Sequence, residues 1–196
     1  MPTADPAMTA PAPPNRRAPW HKRLRRALVG HLVVALFRCF GLLPWNAAMR
    51  LGAWLGGVAF HFAGEDRRRG LEHLARAFPD LDERARVELL RRSFRHFGVT
   101  AMEVAQQHRI DRGTGARVDI SPRLRAAIDG AVAQRRGIVG FTGHLGSWEQ
   151  LARIIGRTYP GHAVAVAAEM RNPVLRDFAE RYRASGEVRT LWRGRP

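Results

Sequence analysis

GIVGFTGHLGSWEQL, from Gly137 to Leu151, joins an apolar run, a glycine turn and a helix start in one segment. Its first half, Gly137 to Thr142, is a short apolar run after a basic pair, the pattern of a buried strand over Ile138 to Thr142. Gly143 and Gly146 bracket His144 and mark a turn. Ser147 and Gln150 form an S-x-x-Q capping box, which predicts a helix starting at Ser147. His144 then sits in a strand-to-helix turn and Glu149 in the first helical turn. There the positive end of the helix dipole favours an ionised carboxylate. An imidazole and a carboxylate so placed suit a histidine general base oriented by a glutamate. The same residues also occur in turns and helix starts without chemistry, and spacing alone leaves both readings open.

Working outward, the segment downstream predicts a Tyr159-Pro160-Gly161 turn and a strand over Ala163 to Ala168. A helix opened by Asn172-Pro173 runs to Ala184, and a third strand begins at Glu187 to Trp192. Upstream, Pro122 opens a helix over Arg123 to Gln134. Strand, helix, strand, helix after a leading helix is the grammar of an α/β fold with parallel pairing. Gln106 to Ser121 reads as a glycine- and charge-rich connection.

Asp66 to Ala105 reads as two polar helices broken at Pro79, the second starting over Asp80 to Glu83. Leu71, Leu74, Ala75 and Phe78 recur at helical spacing, as do Val87, Leu90, Phe94 and Phe97. These are expected core faces, with the arginines solvated or touching phosphate.

The N-terminal part divides in two. Residues 1–19 are rich in Pro, Ala and Thr and read as disordered, and six basic residues with no acid lie between Arg16 and Arg26. Residues 1–26 are thus expected to be a disordered basic leader. An apolar region follows over 27–64, interrupted by Arg38 and Arg50 and split by the turn signal Gly41 to Pro44. Its longest uncharged run is fourteen residues, Leu51 to Gly64, short of the roughly 18 needed to span a bilayer. Gly52, Gly56 and Gly57 offer a small-residue face for close packing. A cleavable signal and a buried helical pair both compete here. The expectation adopted is a membrane-associated anchor held on the cytoplasmic face by its basic flank.

The 196 residues carry a formal charge of +16, nearly all from arginine, since Lys22 is the only lysine. Such a balance calls for an anionic partner: nucleic acid, an anionic lipid surface, or a phosphorylated substrate and acidic carrier. No zinc-finger spacing, aromatic RNA-binding strand or basic zipper appears, which argues against nucleic acid. Cys39 is the only cysteine, so no intrachain disulfide exists. The eight histidines are scattered without H-E-x-x-H spacing, and no metal is expected.

The block His144-Leu145-Gly146-Ser147-Trp148-Glu149 resembles the H-x4-D/E motif of glycerolipid-type acyltransferases. In its GSWE form it is most similar to the lipid A biosynthesis (lauroyl/myristoyl) acyltransferase family. LPWNAAMRLGAWLG, the AFPD turn and MRNPVLRDFAERYRASG extend that resemblance in the same order, from about Leu43 to Glu187. His73 stands where the family carries an asparagine, and TLWRGRP matches nothing in it.

The resemblance implies N-terminal membrane-associated helices followed by the first βαβα units of an acyltransferase sheet over 65–196. That sheet is expected to be incomplete, because family members continue with an acidic motif and further strands. It implies transfer of an acyl chain from acyl carrier protein or CoA to a glycolipid or lysolipid hydroxyl, at the cytoplasmic face of the cell inner membrane. No cofactor beyond that co-substrate is expected. His144 and Glu149 are the implied catalytic pair, and backbone N–H groups from Gly146 to Trp148 the implied oxyanion donors. Arg171 and Asn172 are implied substrate-binding residues, Arg171 toward a phosphate. Trp148 has packing beside the sheet as its alternative, and Arg171 that of an exposed helix-start arginine. An inactive membrane-associated fragment is the alternative for the whole chain.

Overall fold

The computed structural model describes residues 19–113 and 119–193. The first 18 residues of the expected leader lie outside them. The elements are α1 (Trp20–Leu42), α2 (Trp45–Phe62), α3 (Gly64–Ala77), α4 (Glu83–Ala105), α5 (Gln107–Asp111), α6 (Pro122–Ala133), α7 (Trp148–Thr158), β1 (Ala163–Ala168), α8 (Pro173–Ala184) and β2 (Val188–Arg193). The protein is mixed α/β and mostly helical, with one two-stranded parallel sheet pairing Ala163 with Val188 through Ala168 with Arg193.

Several helix boundaries have a local cause. Pro19 holds extended backbone, and its carbonyl accepts from Lys22 and Arg23, so α1 begins inside the stretch expected to be leader. Pro44 forces Leu43 into extended backbone and ends α1 at Leu42. Asp82 caps α4 by accepting from the Ala85 N–H at 2.6 Å, and the Ser121 hydroxyl caps α6.

The packing centre is the crossing of α2 and α4. A Cβ at Gly56 would lie 2.2 Å from the Phe94 carbonyl oxygen, and one at Gly98 would lie 2.0 Å from that of Gly52. Absent side chains let the two backbones touch there. The Gly52 and Gly56 face therefore packs within the protein. Leu90, Met102, Ala48 and Phe60 fill the same seam, with Phe60 edge-on to Phe94 at 5.6 Å. α1 lies on α8, where Gly30 abuts Asn172 and Val174 and Phe37 meets Phe178 edge-on at 5.6 Å. No helix among the described residues is long and apolar enough to cross a membrane.

The sheet departs from expectation at one end. β1 spans the predicted residues, and β2 pairs with it in the expected parallel sense. The first strand, Ile138 to Thr142, does not form: this run is irregular and its apolar side chains are exposed, Phe141 at 95%. Apolar composition favours a strand only where a neighbouring edge supplies ladder partners. Among the described residues no strand lies beside 138–142.

Candidate active-site turn

The turn sits where α4 meets the start of α7. Gly146 adopts φ +53°, a left-handed conformation open to glycine at little cost. Its carbonyl accepts from the Thr100 hydroxyl of α4 at 3.4 Å. Ser147 is the N-cap residue of α7, as expected, yet the capping box is not made. The Ser147 hydroxyl is buried without a hydrogen-bond partner, and Gln150 turns away to donate to the Glu103 carbonyl at 3.3 Å. Gln150 is buried against α4, and that tertiary bond displaces the local one.

His144 is exposed, and its ring rests edge-on against Trp148 at 4.6 Å. Trp148 in turn stacks on Phe97 of α4 at 6.1 Å. The tryptophan ring thus lies between the imidazole and Phe97. Glu149 engages Arg183 of α8 through a two-point ion pair, Nη2 to Oε1 at 2.5 Å and Nε to Oε2 at 2.9 Å. The side chains are only 19% and 14% exposed. This carboxylate raises the Arg183 pKa through its hydrogen bond. Among the described residues no hydrogen bond joins His144 to Glu149.

Asn172 is committed to the scaffold on both ends of its amide. Its Oδ1 accepts from the Val174 and Leu175 N–H groups at 3.0 and 3.4 Å, capping α8, and its Nδ2 donates to the Arg26 carbonyl of α1 at 2.7 Å. Arg171, beside it, is exposed.

Two arginines did not stand out in the sequence. Arg183, just described, is one. Arg153 is the other, 1% exposed at the junction of α5, α7 and α8. Its guanidinium donates to the Tyr182 carbonyl, to the Ser185 hydroxyl at 2.7 Å and to Asp111 at 3.0 Å. It lies 4.8 Å from the Tyr182 ring centroid. Arg157 also meets Asp111, at 2.7 Å. Only i, i+4 spacing on α7 hinted that the two arginines share a partner. The Tyr182 hydroxyl is buried without a partner, and burial raises its pKa well above the ordinary phenol value. Among the described residues no group of three or more His, Cys, Asp or Glu is placed to hold a metal ion.

The exposed imidazole of the glycine turn and the pinned carboxylate at the start of α7 thus lie beside a parallel βαβ unit, and family comparison places the chain among acyltransferases. The chain belongs to the bacterial lipid A biosynthesis acyltransferase family, whose model matches residues 16–195. The resemblance read from the sequence motifs is thereby borne out. No curated protein and no solved structure matches the chain.

Proposed function

We propose that the protein transfers an acyl chain from a thioester carrier, acyl carrier protein or CoA, to a hydroxyl of a glycolipid or lysolipid, with His144 as general base. The acceptor hydroxyl gives its proton to the imidazole as its oxygen attacks the thioester carbonyl. The tetrahedral intermediate then collapses, the C–S bond breaks, and the imidazolium returns the proton to the leaving thiolate. No acyl-enzyme is needed, so Cys39 and Ser147 have no nucleophilic part.

The observation that carries this reading is the exposed His144 ring propped on Trp148, the residue before Glu149, whose carboxylate is held by Arg183. A carboxylate offers about four acceptor positions, and Arg183 uses two. Glu149 therefore keeps lone pairs with which to orient the imidazole and stabilise its protonated form. Backbone N–H groups from Gly146 to Trp148 are the proposed oxyanion donors. Arg171 is the proposed ligand of an acceptor or carrier phosphate, with Asn172 acting through the α8 start that it caps.

We place the protein on the cytoplasmic face of the inner membrane, lying on the anionic surface. Trp20, Leu24, Leu28, Leu32 and Leu36 recur every four residues on α1 and are all exposed, beside Lys22, Arg23, Arg25 and Arg26. Such a helix suits the plane of an anionic interface better than a span.

The test replaces His144 by alanine and measures acyl transfer from acyl carrier protein or CoA thioester to lipid acceptor. Loss of about 10²–10⁴-fold is expected for a general base. Activity within a few-fold of the parent, in a variant with the parent's circular dichroism, removes His144 from the chemistry.

A further inference from the structure

α2 has two faces. Ala48, Gly52, Gly56 and Phe60 face α4 and are buried. Arg50, Ala53, Trp54, Gly57, Val58 and His61 form a second stripe beside them. Together with Arg91 and Arg95 of α4 they line an open groove of about 400 Å³. Its floor is apolar: Ala53, Trp54, Gly57 and Val58. Trp54 is 62% exposed, so its ring is open to a ligand in the groove.

The rim is cationic. On α3, by comparison, Arg68 and Arg69 are matched by Glu65 and Glu72. Around the groove the match fails. Arg91 approaches Glu88 only at 3.9 Å, and Arg50 and Arg95 make no ion pair among the described residues. The Arg95 stem crosses the floor at Gly57, where a Cβ would lie 3.8 Å from its Cγ. Beyond His61 the groove continues past Arg84, Val87 and Arg91, with Glu88 the acid at that end. Like charges gathered over apolar surface are unfavourable until a counterion with an apolar body joins them.

We infer that this groove is a binding site for one anionic phospholipid. The phosphodiester lies between the guanidiniums of Arg50, Arg91 and Arg95, and the first methylenes of an acyl chain cover Trp54 and Gly57. A planar, two-point donor suits phosphate oxygens. The apolar floor selects a lipid over free phosphate, and a single exposed aromatic ring offers no stacking platform for a nucleic acid. This site is separate from the His144 turn and from the exposed stripe of α1, and it does not depend on either reading.

The test uses the full chain and dihexanoyl phosphatidylglycerol below its micelle concentration, titrated by calorimetry. Dihexanoyl phosphatidylcholine and inorganic phosphate are the comparison ligands. Saturable binding of the phosphatidylglycerol is expected, at least about tenfold tighter than either comparison, since head-group charge near basic residues carries that much. Gly57→Leu fills the groove with charge unchanged, on a helix face with room for it, and is expected to lose at least about tenfold. The Arg50→Gln, Arg91→Gln, Arg95→Gln triple variant keeps the floor and is expected to lose about a hundredfold. The Leu28→Gln, Leu32→Gln variant of α1 is expected to bind as the parent does. Equal binding of phosphatidylcholine or phosphate overturns the assignment. So does a folded Gly57→Leu protein with parental affinity, a triple variant with parental affinity, or loss of binding in the α1 variant.

Discussion

Neighbouring glycines on α2 predict opposite outcomes for the same substitution. Alanine in a helix interior is worth about 1 kcal/mol over glycine, so propensity alone favours both Gly56→Ala and Gly57→Ala. At Gly57 the new methyl meets only the Arg95 Cγ, at 3.8 Å, which is ordinary contact. That variant is expected to be more stable than the parent by up to about 1 kcal/mol. At Gly56 the methyl falls 2.2 Å from the Phe94 carbonyl oxygen and 2.8 Å from the Arg95 Cα. These are backbone atoms of α4 and no rotamer change relieves them. The helices must separate by roughly an ångström, opening the seam between Phe60, Leu90 and Phe94. Overpacking of this kind typically costs about 1–3 kcal/mol and exceeds the propensity gain. The propensity gain is common to both, so the two variants should differ by the overpacking cost, about 1–3 kcal/mol, read as the difference in urea midpoints at a common slope. The displacement also reaches the turn, because α4 carries Thr100, Phe97 and Glu103, which hold Gly146, Trp148 and Gln150. Acyl-transfer activity should fall in Gly56→Ala. A Gly56→Ala protein as stable as Gly57→Ala would refute the claim that bare backbone contact sets this crossing.

Two further outcomes follow from the polar groups around α8. Glu149 and Arg183 form a partly buried two-point pair, so a double-mutant cycle with Glu149→Gln and Arg183→Gln should return a coupling of about 1–3 kcal/mol; a value under about 0.5 kcal/mol would make the contact incidental. The Tyr182 hydroxyl is buried and unpartnered, and its pKa is raised, so the folded state holds it neutral. Its contribution is complete below the unfolded phenol value of 10.0 and is lost as pH climbs above it toward the folded value. Tyr182→Phe is expected to match the parent or exceed it slightly at neutral pH, and to lose less stability between neutral and strongly alkaline pH. Equal alkaline losses in the two proteins would show that Tyr182 is not the group responsible.

The His144 turn illustrates how far local signals reach. Glycines at 143 and 146 and a helix start at 147 are local matters, governed by backbone conformation, and they were legible in the sequence. So were the α1/α2 break before Pro44, the Asn172 start of α8, and the parallel pairing of β1 with β2. The Ser147–Gln150 box was equally legible and is still unmade, because burial against α4 gave Gln150 a carbonyl at Glu103 instead. The run 138–142 has strand composition without a strand, since a ladder needs a neighbour as well as a residue type.

What could be read in the sequence is most of the helices, though not α5 or the start of α1 at Trp20, together with the turn that bears the imidazole and the family to which these motifs belong, because each rests on spacing within one short segment. Tertiary structure alone decided the partners: Arg183 for Glu149, Asp111 for Arg153, Arg26 for Asn172 and Phe94 for Gly56. Charge and size mark such residues as needing a partner. Which of many similar residues supplies it depends on how helices distant in sequence cross, and that crossing is set by packing.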